Sequence, residues 1–528
     1  MSTSVVWFRK SLRLHDNPAL TQACEDSSVD FILPIFILDP KVVGEKFEKY
    51  GKNRIRFLLE SLEDLDLSLV TKAKSPLFIF YGCPDEVLGS IIRSLGDQFS
   101  GLHSEYCSEP YGLQVTQKIL DRQNDLPEPS FHFHPASHTL LDIESVIRSN
   151  GFKDPKSMKD ISGIFSKVFP TEKDGFYSVP DPLPVPSRLK PAPTGFDLPS
   201  APAHFQCEVF SPSTLSSSLK DWGIGDFSNF ENYFRGGETE ALNRLQQKVS
   251  SQTDFVNTFR KPKTSSTNSD SNPLEPSTTG LSPYIATGSL STRLLWKEVE
   301  RINRTGNHSS PPESLHGQLL FREMFYLLSR SVPNWNEDQE NPMCKNIDWG
   351  EPDESKLSAW ERGMTGFPLI DAMMRQLDST GWMHHLGRHA VSCFLTRGQL
   401  WQHWKHGRDL FERKLLDSDW ALNNANWLWL SGVAPFSMPY FRLYNPCPDG
   451  KSSLNVDAKT GQFIKHWVPE LKDFPVQHIY EPHLTSEKIQ QDANCIIGRD
   501  YPFPIVNRKE SAKENLAHFK ASLSKLSN

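Results

Sequence analysis

Two histidines, His385 and His389, stand four residues apart in a mostly apolar stretch, so they share one face if the stretch is helical. Imidazole titrates near neutral pH, and a pair facing a pocket can act as an acid and a base. A metal pair and two hydrogen-bonded core histidines are the alternatives. The metal pair is disfavoured because the glutamate of an HExxH site and an acidic third ligand nearby are both absent.

Arg388 and Asp417 are candidates for a buried ion pair beside a polar ligand, because burying either charge alone is costly. A surface pair of no consequence is the alternative. Asp419 can accept hydrogen bonds from a ribose or a flavin, or it can cap the segment that follows.

Hydroxyls and backbone N–H groups in 278–282 (TTGLS) precede a helical region and could hold a phosphate, although such runs are usually helix caps. On the next predicted helix, Gln318 and Arg322 stand four residues apart, and a guanidinium can bind a phosphate through two hydrogen bonds.

Trp401 and Trp404 are three residues apart and share a face if they lie on one helix, while Trp427 and Trp349 flank them in sequence. Core packing is one interpretation of these indoles. A chain of readily oxidised side chains from a buried cofactor to the surface is the other. Residues 381–414 also carry six basic against two acidic side chains, which could face phosphate or be a solvated helix face.

Helical spacing of apolar residues predicts a buried helix over 384–404, and a second apolar segment spans 421–430. Residues 1–135 alternate strand-like and helix-like patterns, which predicts a parallel sheet covered by helices. The predicted strands are 4–8, 31–38, 77–81 and 131–133, and the predicted helices are 54–69, 86–95 and 113–123. No GxGxxG follows the first strand, so a dinucleotide on that turn is not expected.

Residues 136–215 form a predicted extended connector, which is Pro-rich and irregular, and 263–276 is a predicted loop. Residues 216–515 form a predicted helical domain, followed by a short tail over 516–528. Further helices are predicted at 287–303, 313–328, 368–377 and 512–526.

The 528-residue chain is long enough for at least two domains, and its net charge of −7 gives no general argument for nucleic-acid binding. The eight cysteines are scattered without a CxxC pair, which suits a reducing compartment. No run of eighteen apolar residues and no secretory signal is found, so no membrane partner is expected.

The chain resembles the photolyase and cryptochrome flavoproteins, within them the animal-type branch that contains the (6-4) photolyases. WFRKSLRLHDNPAL at the start, LEPSTTGLSPY, ERGMTGFPLIDAMMRQL and the whole of 381–432 carry the resemblance. It implies an N-terminal Rossmann-like α/β domain with a parallel sheet, a long connector and a large all-α domain that binds FAD.

Carried over by motif position, the FAD-binding residues implied by the resemblance fall into three groups. They are Thr278, Thr279, Leu281 and Ser282 at the diphosphate, Gln318 and Arg322 beside it, and Trp382, Arg388, Asp417, Asp419 and Asn423 around the flavin ring. Asn423 would face flavin N5, where its carboxamide can donate a hydrogen bond as the flavin accepts charge.

The resemblance further implies that Trp427, Trp404 and Trp349 form an electron-transfer triad, with Trp401 as a fourth member. His385 and His389 match the pair that marks (6-4) repair, with His385 as proton donor to a lesion flipped out of the duplex. The implied substrate-binding residues are Phe321, Trp429, Tyr440, Arg442 and Tyr444. Phe321 replaces a Trp of most relatives, and 433–440 is one residue longer, which bears on substrate preference.

The expected activity is therefore light-dependent repair of (6-4) photoproducts by a monomer that binds UV-damaged DNA in the nucleus, with an organelle as the alternative compartment. The other functions are a cryptochrome acting through signalling partners, alone or beside repair, and, disfavoured by His385, cyclobutane-dimer repair. A second antenna chromophore, a deazaflavin or a folate, is compatible with the N-terminal domain, but no motif selects one.

Overall fold

The computed structural model describes residues 1–45, 47–121, 130–194, 208–221, 233–260, 268–269, 272–448 and 460–526. These residues form two compact units. The first takes in the described residues of Met1–Asn229, Phe234–Phe259 and Leu281–Ser331, and the second those of Phe230–Tyr233, Arg260–Gly280 and Val332–Asn528. The domain limits predicted at residues 135, 215 and 515 remain predictions.

The first unit is built on a six-stranded sheet whose order is β5-β4-β1-β2-β3-β6. Its strands are β1 (Thr3–Phe8), β2 (Phe31–Leu38), β3 (Phe78–Tyr81), β4 (Phe99–Glu105), β5 (Ser130–His134) and β6 (Glu208–Phe210). The first five strands are parallel, which confirms the predicted α/β architecture, and β6 pairs antiparallel with β3. The chain runs from β1 towards one edge and from β4 towards the other, so the order reverses between these two strands.

Thirteen α-helices complete the described part of this unit. They are α1 (Pro18–Glu25), α2 (Pro40–Val43), α3 (Lys52–Ala73), α4 (Pro84–Leu95), α5 (Pro110–Asp121), α6 (Ile143–Arg148), α7 (Met158–Val168), α8 (Pro212–Asp221), α9 (Glu238–Leu245), α10 (Thr253–Thr258), α11 (Ser282–Thr287), α12 (Thr292–Asn303) and α13 (Leu315–Ser331). Alternating residues of β1 and β2 enter two separate hydrophobic cores, Val6 and Ile32 in one and Val5 and Leu33 in the other. Both sheet faces are therefore covered, as a parallel sheet requires.

The prediction of an extended, irregular connector was wrong for its first part. Helices α6 and α7 form at 143–148 and 158–168, each capped by a side chain, Asp142 and Ser157 respectively. The Pro-rich run that follows, 178–194, contains no helix or strand, as predicted. Proline removes backbone donors from this run, so regular structure is disfavoured there.

The second unit is mainly helical and holds a short hairpin of β7 (Asn268–Ser269) and β8 (Asn272–Pro276). The described end of the predicted 263–276 loop is therefore paired, and 263–267 and 270–271 lie outside the described residues. Its helices are α14 (Glu354–Glu361), α15 (Pro368–Thr380), α16 (His385–Cys393), α17 (Trp404–Lys414), α18 (Trp420–Leu430), α19 (Gln462–Trp467), α20 (Glu487–Asp492) and α21 (Arg508–Leu526).

The single helix predicted over 384–404 was wrong. Helix α16 ends at Cys393 and continues as a π-helical turn over 394–398, within which Thr396 has non-helical torsion angles. Trp401 follows with a positive φ of 54°. Trp401 and Trp404 therefore do not share a helix face, since α17 begins only at Trp404. Within the described part of the chain, no helix is both long and apolar enough to cross a membrane.

Candidate active site

The two histidines lie on α16 and face each other, with 3.0 Å between their Nε2 atoms. Behind them, the Tyr444 hydroxyl lies 2.8 Å from Nδ1 of His389. His389 is buried and its ring also makes an edge contact with Trp429, at 5.8 Å between centroids. Tyr444, His389 and His385 thus form one hydrogen-bonded line that ends at the more exposed His385. Burial raises the pKa of Tyr444 to about 12, so its phenol keeps its proton at neutral pH.

Sequence reasoning missed His384, which begins the helix that carries the pair. Its Nδ1 accepts a hydrogen bond from the Leu386 amide at 3.1 Å, and its Nε2 lies 3.4 Å from Ser277 Oγ. Burial and the nearby Arg388 charge lower the pKa of His384 to about 3. A neutral imidazole therefore caps α16 and ties the helix to the segment before Thr278. A histidine directly before a helix was the only signal in the sequence.

The predicted ion pair is present: Nη1 and Nη2 of Arg388 bind Oδ1 and Oδ2 of Asp417 at 3.0 and 2.8 Å. Nε of Arg388 also donates to the Met383 carbonyl at 2.9 Å. Each of the three guanidinium nitrogens therefore donates a hydrogen bond, and the Asp417 carboxylate is nearly buried. Two parallel charge-assisted hydrogen bonds give this pair a defined geometry next to α16.

Asp419 and Asn423 lie on the first turns of α18 and are both buried. Asp419 is the N-cap, with Oδ1 accepting from the Leu422 amide at 3.0 Å, so the capping interpretation is confirmed. Asn423 donates one amide hydrogen to the Arg408 carbonyl at 2.9 Å. That bond orients the carboxamide and leaves its oxygen and its second N–H group for a ligand.

The excess of basic residues in 381–414 does not form a free phosphate-binding face. Lys405 binds Glu337 and Asp338, and Lys414 binds Asp378. Further pairs join Arg413 to Glu361 and Arg408 to Asp409. Most of these acids lie far away in sequence, so the local charge count could not reveal the neutralisation.

Arg397, another member of that set, is fully buried. Its Nε donates to the Leu430 carbonyl at 3.2 Å, and its Nη1 donates to the carbonyls of Tyr440 and Arg442 at 2.7 and 2.8 Å. This side chain therefore fixes the segment between α18 and Tyr444. Arg442 itself is exposed, as a surface contact requires.

The predicted tryptophan chain forms partly through direct ring contacts. The rings of Trp349 and Trp401 are in tilted contact, with centroids 4.9 Å apart and planes at 49°. The His403 ring lies 6.2 Å from Trp349 and 5.5 Å from Trp404. Trp427 lies on α18, which packs against the α17 helix of Trp404. Both inner indoles are fully buried, and their Nε1 groups have no hydrogen-bond partner in the described part of the protein.

Three predicted residues lie on one face of α13 in the first unit. Gln318 donates to the Pro312 carbonyl at 3.2 Å, Phe321 contacts Phe325 at 6.3 Å between centroids, and Arg322 is buried. Arg322 binds Glu323 at 3.2 Å through Nη1, while its buried Nη2 has no partner among the described residues. Buried polar groups are usually hydrogen-bonded, so this nitrogen can accommodate an anionic partner.

The remaining predicted cofactor residues are divided between the units. Leu281 is buried and Ser282 is exposed at the start of α11, in the first unit. In the second unit, Thr278 and Thr279 are half-buried after β8, and Trp382 is buried with its ring edge-on to His384 at 6.2 Å. Tyr440, predicted to contact substrate, stacks on Phe519 at 4.8 Å.

A cavity in the first unit lies at the carboxyl ends of β1 and β4, where the strand order reverses. Its lining includes Arg9, Lys10, Glu105, Glu109 and Tyr326. Such crevices are the usual ligand position in open α/β sheets. Among the described residues, no group of three or more His, Cys, Asp or Glu side chains is arranged to hold a metal ion.

Comparison with known proteins assigns both halves of the chain. Residues 4–173 match the family described as DNA photolyase, and residues 314–521 match the FAD binding domain of DNA photolyase. The chain is 41% identical to a (6-4)DNA photolyase of Arabidopsis thaliana over 97% of its length and 87% of the relative's. It is 37% identical to Cryptochrome-1 of Erithacus rubecula, over 99% of the chain and 79% of that protein. A solved Synechocystis cryptochrome superposes with a TM-score of 0.79 and 26% identity, covering 98% of this chain and 99% of that one.

Proposed function

Because the chain belongs to the photolyase and cryptochrome family of flavoproteins, we propose that it is a (6-4) DNA photolyase. It repairs (6-4) pyrimidine-pyrimidone photoproducts in DNA with blue or near-UV light. The observation that carries this function is the line Tyr444–His389–His385, with 2.8 and 3.0 Å between successive polar atoms. A cyclobutane dimer opens once an electron arrives, whereas a (6-4) product must also return an oxygen or hydroxyl group between two bases. That transfer needs a proton donor at the lesion.

The residues present fit FAD. In the first unit, Arg322 has a buried nitrogen without a partner among the described residues, which suits a phosphate; in the second unit, Thr278 and Thr279 are half-buried. The Arg388–Asp417 pair and the Asn423 carboxamide would hold the ring system. When bound, the flavin supplies light-driven one-electron chemistry.

His385 would hold a proton at the end of the hydrogen-bonded line and donate it to the lesion. His389 would tune that acid: its Nε2 would accept a hydrogen bond from the protonated His385, and its Nδ1–H group would donate to the Tyr444 oxygen. General acid catalysis of this kind contributes roughly 10²–10⁴-fold to a rate. The lesion would reach His385 by flipping out of the duplex, next to Trp429 and Arg442.

A chain of four tryptophans would supply electrons to the flavin site and so allow light to reduce FAD. Its members, from the flavin outward, are Trp427, Trp404, Trp349 and Trp401. Trp427 and Trp404 are fully buried, whereas Trp349 and Trp401 are partly accessible, which supports a chain that runs from the interior to the surface. The cavity at the ends of β1 and β4 would hold a second antenna chromophore, a deazaflavin or a folate.

A second candidate function is that of a cryptochrome, acting through signalling partners in light sensing or transcriptional regulation, alone or beside repair. The 37% identity to an avian Cryptochrome-1 over almost the whole chain supports it. For the repair function, the proposed partner is UV-damaged DNA, bound by a monomer in the nucleus.

A His385→Ala variant tests the assignment. We expect it to lose (6-4) repair while binding FAD and photoreducing it as the wild type does. The exposed His308 offers a matched control, His308→Ala, which should repair normally. Repair by His385→Ala at the wild-type rate would overturn the role of this histidine.

A further inference from the structure

The outer tryptophan pair is covered by the C-terminal helix α21. Phe519 of this helix is fully buried and lies 6.0 Å from Trp349 and 6.3 Å from Trp401 between ring centroids. His518 contacts Trp401 from the same helix at 5.5 Å. Trp401 has a left-handed backbone, with a φ of 54°, which is unfavourable for a bulky residue. The surrounding contacts therefore hold this indole in place against an intrinsic preference.

Tyr440 extends this aromatic assembly by one ring. Its ring stacks on the ring of Phe519, with centroids 4.8 Å apart and planes at 4°. Its backbone carbonyl is held by the buried Arg397 at 2.7 Å, so the ring stands on a fixed main chain. Trp401, Phe519 and Tyr440 are thus in successive ring contact.

The proton chemistry of these rings differs. The Nε1–H groups of Trp404 and Trp427 are buried without a hydrogen-bond partner in the described part of the protein, so an oxidised indole there cannot release its proton. The half-buried Tyr440 phenol also lacks a protein partner among the described residues, but it can reach water. An oxidised phenol is a strong acid and loses its proton wherever water can accept it.

We propose that Tyr440 is the terminal electron donor of the tryptophan chain. One electron passes from its phenol, by way of Phe519, to the indole radical cation that light-driven oxidation by the excited oxidised flavin leaves on the Trp349–Trp401 pair. The indole becomes neutral, the Tyr440 O–H bond breaks, its proton goes to water, and a neutral tyrosyl radical remains. Phe519 is not oxidised and serves as the contact between the two. The inference rests on the light-driven electron transfer of the proposed function.

This step would trap the oxidising equivalent. A neutral tyrosyl radical must regain both an electron and a proton before it can return, so charge recombination slows. Reductants in solution can also reach the radical, because Trp349, Trp401 and Tyr440 are all partly accessible.

Laser-flash absorption and freeze-quench electron paramagnetic resonance on the FAD-loaded, oxidised protein test the proposal. In the wild type, we expect a tryptophanyl signal that decays as a tyrosyl signal rises, and the latter should narrow when ring-deuterated tyrosine is incorporated. Tyr440→Phe should abolish the tyrosyl signal and leave a tryptophanyl radical that recombines faster.

Tyr81→Phe is the matched control, because this half-buried phenol lies on β3 in the first unit and donates to the Glu45 carbonyl at 2.7 Å, so the tyrosyl signal should stay intact. Phe519→Leu should slow tyrosyl formation while Tyr440 is still present. A tryptophanyl radical with no tyrosyl successor in the wild type, or an unchanged tyrosyl signal in Tyr440→Phe, would overturn this inference alone. Absence of any chain radical would overturn the tryptophan chain as well.

Discussion

At the scale of single residues, the tautomer of His389 decides which way a proton can move. If the Tyr444 hydroxyl donates to Nδ1, the proton on Nε2 of His389 points at His385. If His385 carries the extra proton, the line runs in the opposite direction and ends at the Tyr444 oxygen. Tyr444 is therefore a positioning residue that acts through His389.

Tyr444→Phe should lower kcat for (6-4) repair by about tenfold, less than the 10²–10⁴-fold effect of losing the acid itself. The KM for damaged duplex should stay unchanged, because the hydroxyl is engaged with His389. Steady-state repair under saturating light measures both constants. A raised KM with unchanged kcat would instead support the lesion contact predicted from the sequence.

Many of the site residues could be predicted from the sequence, but the partners that bind them from distant parts of the chain could not. The spacing of His385 and His389 predicted a shared helix face, and the Arg388–Asp417 pair was a stated candidate. Arg397 was misinterpreted as a potential phosphate contact, because only the fold shows that it binds backbone carbonyls. Lys405 likewise finds its acids about 67 residues earlier.

At the scale of elements, α17 and α18 approach each other through Gly407. A Cβ at this position would lie 1.9 Å from Cη2 of the Trp427 indole. Only glycine leaves room for the ring, so the close approach of the two helices depends on this residue.

Gly407→Ala should therefore destabilise the helical unit by about 1–3 kcal/mol, the usual cost of overfilling a packed core, and slow flavin photoreduction by displacing Trp427. Thermal melting and the rate of light-driven flavin reduction measure the two effects. Gly163→Ala is the control, because a Cβ at Gly163 would have open space around it. Gly398→Ala is unsuitable, because its Cβ would meet a backbone atom. Unchanged photoreduction in Gly407→Ala would contradict this account of the packing.

Three stacked imidazoles join β4 to β5: His103 lies 4.7 Å from His132 and 5.6 Å from His134 between centroids. Burial and the neighbouring histidines lower the pKa of His103 to about 3 and that of His134 to about 4. The unfolded chain protonates histidine near 6.5, so between that pH and the folded values it binds more protons than the folded protein. Stability is then fully present above about 6.5 and declines as the pH falls towards 4.

His103→Phe should reduce the loss of stability as the pH falls, because the phenyl ring can still stack on His132 but does not titrate. Melting temperatures of the first unit between pH 7 and pH 5 measure it, with roughly 2–4 °C expected per kcal/mol. The exposed His308→Gln should retain the wild-type slope. A His103→Phe slope equal to that of the wild type would rule the cluster out as the cause.

Element prediction succeeded where the burial pattern is regular. The apolar runs of β1 and β2 are visible in sequence because both faces of these strands are covered. The strand β4 was missed, since FSGLHSE carries Gly, His, Ser and Glu at positions that only the neighbouring strands bury. The helix predicted over 384–404 is interrupted at the end of α16 and at the left-handed Trp401. The spacing of apolar residues does not predict such an interruption, because it depends on tertiary contacts.

At the scale of the whole molecule, the helical unit should depend on its cofactor. Removing FAD should lower apparent stability by roughly 2.7 kcal/mol relative to protein held at 100 times the dissociation constant. Asp417→Asn should abolish that increment by breaking the Arg388 pair, whereas the exposed Asp409→Asn should keep it. Thermal melting with and without added FAD measures the difference. Equal increments in both variants would contradict the assigned flavin contacts.

Repair of defined lesions tests the central claim most directly. FAD-loaded protein, a reductant and blue light would be given duplexes that carry either one (6-4) photoproduct or one cyclobutane dimer. We predict light-dependent restoration of the (6-4) duplex alone. Restoration of the cyclobutane duplex instead, or of neither duplex by protein that photoreduces its flavin normally, would contradict the assignment.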